Sequence, residues 1–283
     1  MGTSPRRSRR TQRSLLGVVA LAAALVPSTS AAPPPPNFPP PGDPARLARA
    51  LTDTTASLRA AIARWSDKGA PPPSDVTLYA LYQQRIYRYL ARHERLERDT
   101  LARLPSSLAA VSRDLLVAHH ELYRLTPPLP ARAIKVGPSA PPAALLGYYR
   151  EAQRRFRVPW DVLAAVNFVE SKFGKLRSTS AAGAQGPMQF LPATWRRYGL
   201  GGNVHDAHDA IIGAGNYLHA SGAPRSMRRA LYAYNPSAAY VDAVLRYARR
   251  VRADRTMFYA LYSWQVFVKT PRGDRRVTGP ALP

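Results

Sequence analysis

Glu170 closes a helical pattern in which Pro159 falls at a first helical position, Asp161 in the first turn, and Val162, Val166, Val169 and Phe173 on one apolar stripe. Held against such a stripe, a carboxyl resists ionisation and can donate a proton; tilted to solvent, it only decorates a helix end. The segment that follows favours the first reading. Residues Ser180-Ala181-Ala182-Gly183-Ala184-Gln185-Gly186-Pro187-Met188-Gln189-Phe190-Leu191-Pro192 form a small-residue loop that lets backbone approach a ligand closely. The loop delivers a thioether and an amide, Met188 and Gln189, just before a new helix at Ala193-Thr194-Trp195. Further on, Ala233-Tyr234-Asn235-Pro236 ends a helix with a hydroxyl and an amide, and Tyr240 follows.

Other chemistry-bearing patterns carry less. His120-Glu121 begins a zinc-helix motif, but Arg124 stands where the second His is required. Gly213-Ala214-Gly215 sits inside a helical pattern and has no third Gly at the dinucleotide spacing. His205-Asp206-Ala207-His208-Asp209 has metal-ligand residue types, yet Asp206 and Asp209 just before Ala210-Ile211-Ile212 read as an N-cap and a first-turn acid. Pro271-Arg272-Gly273-Asp274 is a turn sequence rather than an adhesion motif. No metal and no cofactor is expected.

Glu170-Ser171, the Gly183–Pro192 block and Ala233-Tyr234-Asn235, in that order and spacing, resemble the lytic murein transglycosylases with a goose-lysozyme-like domain. The resemblance covers about residues 143–254. It implies that Glu170 is the catalytic acid/base, with Ser171 its helix-end partner and Ser180, Met188 and Gln189 lining a sugar cleft. Tyr234 would hydrogen-bond the carboxyl, Asn235 would hold a substrate amide, and Tyr240 would join the substrate-binding set. The commoner family pattern has Leu or another apolar residue where Pro187 stands, and Pro removes a backbone N–H. Glycosidases usually need two carboxylates, and the cleft blocks supply only Glu170. The resemblance implies that the substrate's own N-acetyl group replaces the second, giving a 1,6-anhydro-muramoyl product. Two other readings remain open: a wall-binding or spacer protein with a vestigial lytic domain, and a hydrolysing muramidase.

The elements that must position these residues are mostly helical. Leu47, Leu51, Leu58, Ile62 and Trp65 fall at helical spacing, as do Tyr82, Ile86, Tyr89, His93 and Leu96, and then Leu108, Val111, Leu115, Ala118, Leu122 and Leu125. Between the last two series, Leu104-Pro105-Ser106-Ser107 reads as a stop and a new N-cap. The expected fold is mainly α: a helical hairpin or three-helix unit over 45–126, a Pro-rich connector over 127–142, and a lysozyme-like catalytic domain over 143–254. A C-terminal strand/hairpin and tail over 255–283 completes it, with the aromatic and β-branched run 257–268 read as strand.

The chain has 283 residues, 41 Lys+Arg against 17 Asp+Glu, a formal charge of +24, and no Cys. Disulfide scaffolds, zinc ribbons and thiol nucleophiles are thereby excluded. Five Arg between Arg6 and Arg13 precede an apolar run, Leu15 to Val26, that gives way to small residues, so 1–31 reads as a secretory signal peptide and 32–44 as an extended Pro-rich linker. The apolar run is too short for a permanent membrane span, which needs roughly 20 residues. Beyond the leader the charge is still +19. For a chain exported to the cell envelope the expected partners are peptidoglycan glycan strands and anionic wall polymers, not nucleic acid.

Overall fold

Asp43 starts the first helix: its carboxylate accepts from the Arg46 N–H at 2.9 Å, with Pro44 in the first turn, and α1 (Pro44–Arg64) follows. The computed structural model of the chain describes residues 1–2, 32–128, 130 and 133–282. Apart from its first two positions, the leader read over 1–31 lies outside the described residues. The apolar face of α1, Leu47, Leu51, Leu58 and Ile62, is buried, and α1 packs on α2 (Ser74–Leu90). The second apolar series then divides, because the chain leaves the helix at Ala91–His93 and resumes as α3 (Glu94–Leu101). Next comes α4 (Ser106–Leu125), so the segment 45–126 holds four helices. Its N-cap is Pro105, which makes no side-chain cap, and the hydroxyls expected to cap it lie inside the first turn.

Seven further helices follow: α5 (Pro142–Phe156), α6 (Trp160–Ser171), α7 (Pro192–Tyr198), α8 (Ala207–Ala220), α9 (Met227–Tyr234), α10 (Ala238–Ala253) and α11 (Arg255–Ser263). The hairpin β1 (Phe267–Thr270) and β2 (Gly273–Arg276) pairs antiparallel, Phe267 opposite Arg276 and Thr270 opposite Gly273. The class is mainly α with a short C-terminal hairpin, as expected. Residues 257–263, read as strand, are helix instead. Asp254 caps that helix by accepting from the Thr256 N–H at 2.9 Å, and Phe258, Leu261 and Tyr262 recur at helical spacing on its buried side. Aromatic and β-branched composition is outweighed by the cap and the period.

Helix α10 lies between α4 and α6, burying Tyr240, Val244, Tyr247 and Val251. On the α4 side, Asp114 is 6% exposed and receives Arg246 at 3.0 Å, Arg249 at 2.7 Å and Arg250 at 2.6 Å. One apolar core runs without interruption from α1, α2 and α4 into α5, α6, α8, α10 and α11. Phe168, Phe173, Phe258 and Trp264 stack edge-on or tilted near its centre, with ring centroids 5.5–6.0 Å apart in successive contacts. The Pro-rich stretch before α1 is also attached to this body: Phe38 packs on Tyr82 at 5.6 Å, and Arg85 donates to the Phe38 and Asn37 carbonyls. Asn37 and Phe38 are therefore anchored rather than part of a free spacer. In the connector, Val136 bridges Leu176 and Gly137 N–H donates to the Lys175 carbonyl at 3.0 Å, which fixes the segment after α6. Among the described residues no helix is long and apolar enough to cross a membrane.

Candidate active site

Glu170 is the penultimate residue of α6, where the helix leaves the core. Its neighbours decide its chemistry. The side chain is half-buried, and burial pushes the carboxyl up to about 7, against a hydrogen bond from Tyr240 and the charge of Lys172, which both favour the ionised form. The Tyr240 hydroxyl donates to Glu170 Oε1 at 2.6 Å. Burial also holds the Tyr240 phenol well above its ordinary value, so it is a neutral donor. Tyr240 reaches Glu170 because Ser237 caps α10 by accepting from the Tyr240 N–H at 3.3 Å, which sets Tyr240 in the first turn.

The loop before α7 is held by α6 and α9. Gln185 and Phe190 exchange backbone hydrogen bonds at 2.9 Å each way, closing a tight turn in which Gly186 has φ +74° and Gln189 φ +49°. A Cβ on Gly186 would lie 1.9 Å from the Val204 carbonyl oxygen, so the close approach that needs glycine is one of backbone to backbone. Inside the turn, the Pro187 carbonyl accepts from Ser171 Oγ at 2.5 Å and Asn167 Nδ2 at 2.8 Å, and Tyr149 donates to Asn167 Oδ1 at 2.6 Å. The Met188 carbonyl accepts from the Tyr234 hydroxyl at 2.6 Å. Thus Pro187 contributes its carbonyl to the anchoring of the loop.

The structure brings together the three blocks but reassigns several side chains. The tyrosine that donates to Glu170 is Tyr240; Tyr234, expected in that role, ties α9 to the loop at Met188. Ser171 is 1% exposed, with its hydroxyl bound to Pro187 and accepting from the Gly174 N–H at 2.8 Å, so it is no wall of an open cleft. Met188 is fully buried among apolar neighbours and likewise lies beneath the site. Ser180 Oγ accepts from the Ala184 N–H at 3.0 Å within the loop, and Gln189 Nε2 donates to the Gly186 carbonyl at 3.0 Å. The Asn235 amide, at the exit of α9, has no hydrogen-bond partner among the described residues and is half-buried.

Two contributors escape the sequence blocks. Asn167 sits one turn before Glu170 and anchors the loop from within α6. Lys172, two residues after Glu170, takes a left-handed φ of 54° and donates to the Phe168 carbonyl at 3.1 Å; burial, and then the charge of Arg88, lower its amine to about 8. Its nearness to Glu170 in sequence is the only signal of its place.

Other carboxylates in this region are engaged. Asp161 accepts from Arg252 at 3.0 Å, and Asp242 from Arg228 at 2.6 Å. Asp206 is the N-cap of α8, accepting from the Asp209 N–H at 3.0 Å, while Asp209 accepts from the Asn203 N–H at 2.9 Å. With His208 these two form a group whose ligand atoms lie within 4.8 Å of one another, but His208 Nε2 is turned to Glu151 at 3.0 Å. The hydrogen bonds are those of a helix cap. Glu121 of α4 is also raised by burial, but the charges around it are Arg246, Asp242 and Arg124, not those of the Glu170 group.

Residues 147–256 match the family model described as the transglycosylase SLT domain. No curated protein and no solved structure matches the chain.

Proposed function

We propose that this chain, acting on peptidoglycan through its transglycosylase SLT domain, cleaves the β-1,4 bond between N-acetylmuramic acid and N-acetylglucosamine and releases a 1,6-anhydro-muramoyl end. The observation that carries the reading is a half-buried carboxyl, pushed up to about 7, that receives a neutral tyrosine where the three sequence blocks meet. A carboxyl of that acidity is divided between its two forms near neutral pH, so it can give a proton and take one back. Such acid/base work contributes about 10²–10⁴-fold.

In the first step Glu170 gives its proton to the glycosidic oxygen as that oxygen's bond to C1 of the muramoyl sugar breaks, and the carbonyl oxygen of the sugar's own N-acetyl group bonds to C1. In the second, the 6-hydroxyl oxygen bonds to C1 and displaces the acetamido oxygen, and its proton passes to the Glu170 carboxylate. Glu170 ends as it began, and no water is consumed. Tyr240 holds the carboxylate between the two steps by donating to Oε1. Ser171, Asn167 and Tyr234 keep the 185–190 turn in register beside it, and the free amide of Asn235 is placed to hold a substrate amide. The leader and the charge of +19 beyond it suit a protein exported to the envelope and retained by anionic wall polymers.

Glu170→Gln keeps the shape and removes the proton. It is expected to abolish release of anhydro-muropeptides from purified sacculi while leaving the circular dichroism spectrum and melting unchanged in kind. Product mass separates the alternatives: anhydro ends are one water lighter than the reducing ends a hydrolase leaves, and a spacer protein releases neither. Turnover retained by Glu170→Gln defeats the assignment of the acid.

A further inference from the structure

A cavity of about 120 Å³ opens beside the end of α6, walled by α2, α4, α10 and the C-terminal hairpin. Most of its lining comes from outside residues 147–256. Its ionisable groups include Arg88, His119, Lys172, Lys269 and Asp274. Arg88 and Asp274 satisfy each other, and Asp274 Oδ1 also accepts from the Tyr123 hydroxyl at 3.2 Å. Neither lysine makes an ion pair among the described residues, although Lys269 faces Asp274 across the hairpin and the Lys172 charge is felt by Glu170. Lys172 Nζ reaches the Phe168 carbonyl at 3.1 Å and lies 4.1 Å above the Phe168 ring. Lys269 Nζ reaches the Tyr123 carbonyl at 3.4 Å and lies 4.5 Å above the Tyr123 ring.

Burial disfavours the Lys172 ammonium, and an arriving anion would offset that cost. Burial, and after it the charges of Arg88, His120 and Lys172, lower the His119 ring to about 3, so it meets a ligand as a neutral imidazole. Lys172 and Phe173 in succession hold φ of 54° and 62°, a region that side chains rarely adopt. That strain fixes the lysine at the helix exit, where its charge is felt by Glu170 as well as by the cavity. One side chain thus joins the cavity to the proton donor.

We propose that this cavity is an anion subsite that takes a carboxylate of the peptide carried by the muramoyl sugar under cleavage, with Lys172 and Lys269 as its cations and the Phe168 and Tyr123 rings as its apolar walls. The cavity has room for a small anionic group, since a water needs only about 10–15 Å³ of space of this kind. The muramoyl sugar bears the peptide, and the proton donor works at that sugar's C1, so the peptide leaves the ring close to Glu170. This inference rests on the transglycosylase reading. It makes the N-terminal helices and the hairpin part of substrate selection, with the SLT domain supplying the chemistry.

The test uses the full chain carrying Glu170→Gln, so that glycans bind without being cut. Calorimetric titration compares a muramoyl-glucosaminyl tetrasaccharide bearing its peptides with the same tetrasaccharide stripped of them by an amidase. The peptide-bearing glycan is expected to bind about tenfold more tightly, and adding Lys269→Ala should bring the ratio of the two affinities close to 1. Lys269→Glu, at the same half-buried strand position, should invert the preference. Equal affinities before the lysine is changed, or a ratio that survives both substitutions, overturn the subsite. Failure of both glycans to bind the Glu170→Gln protein would instead count against the transglycosylase reading itself.

Discussion

The hydrogen bond from Tyr240 to Glu170 favours the carboxylate, so it opposes the burial that keeps the proton on. A hydrogen bond to a charged group contributes about 1.5–3 kcal/mol, and 1.36 kcal/mol is one pKa unit. Tyr240→Phe should therefore raise the Glu170 pKa further above 7. The first step needs the protonated acid, so activity falls as pH rises through about 7 in the wild type; in the variant that limb moves to higher pH by about one unit. The maximal rate should fall about tenfold, because the weaker acid gives its proton to the glycosidic oxygen less readily in the first step. A pH profile of sacculus solubilisation measures both, and an alkaline limb that stays in place or moves down would show that Tyr240 does not act on the acid. Glu170 is readable in the sequence from the apolar stripe before it and the loop after it. Which tyrosine serves it is not: Tyr234 and Tyr240 are six residues apart, and the turn at Asn235–Ser237 sends one to the Met188 carbonyl and the other to the carboxyl.

Among the elements, the 180–190 loop shows why small residues are needed, and the reason differs from the one its composition suggests. Glycine there reads as room for a ligand; the structure gives the room at Gly186 to the Val204 backbone, at 1.9 Å from a Cβ that is absent. Gly183 also has a left-handed φ, +82°, but a Cβ there meets nothing within 4 Å. The two glycines therefore separate strain from collision. Gly183→Ala should cost only the left-handed penalty, roughly 1–2 kcal/mol. Gly186→Ala must in addition push Val204 and the start of α8 aside, and should cost clearly more, about 3 kcal/mol or beyond, with loss of activity because the turn carries the Pro187 and Met188 carbonyls. Urea unfolding of the two variants gives the order; equal costs would mean that the loop has space to yield. The same competition between composition and context hides α11, whose aromatic sequence reads as strand until Asp254 is seen to cap it.

For the molecule as a whole, the helical segment 45–126 and the segment 143–254 are distinguishable in sequence by the prolines between them, but the structure joins them in one core. The reason is invisible to periodicity. Helix α10 is apolar on two sides, one facing α6 and one facing α4, and a pattern of spacing along one chain does not say which partner covers which side. Without α4, the buried Leu115 and Leu116 no longer cover α10, and each such side chain contributes about 1.5–3 kcal/mol. Arg246, Arg249 and Arg250 also lose Asp114, leaving three like charges on successive turns of one face. Helix α11, which packs on α6 and α10, is cut away as well. Against a total stability of about 5–15 kcal/mol these losses are decisive. Residues 143–256, expressed without the rest, are therefore expected to give no cooperative thermal transition, whereas residues 32–282 unfold in one. A single transition is also what one shared core requires, since neither segment can melt while leaving the apolar face of the other covered. A soluble, monodisperse 143–256 fragment with a sigmoidal melt would show that α10 does not depend on α4, and would return the N-terminal helices to the role of a separate module.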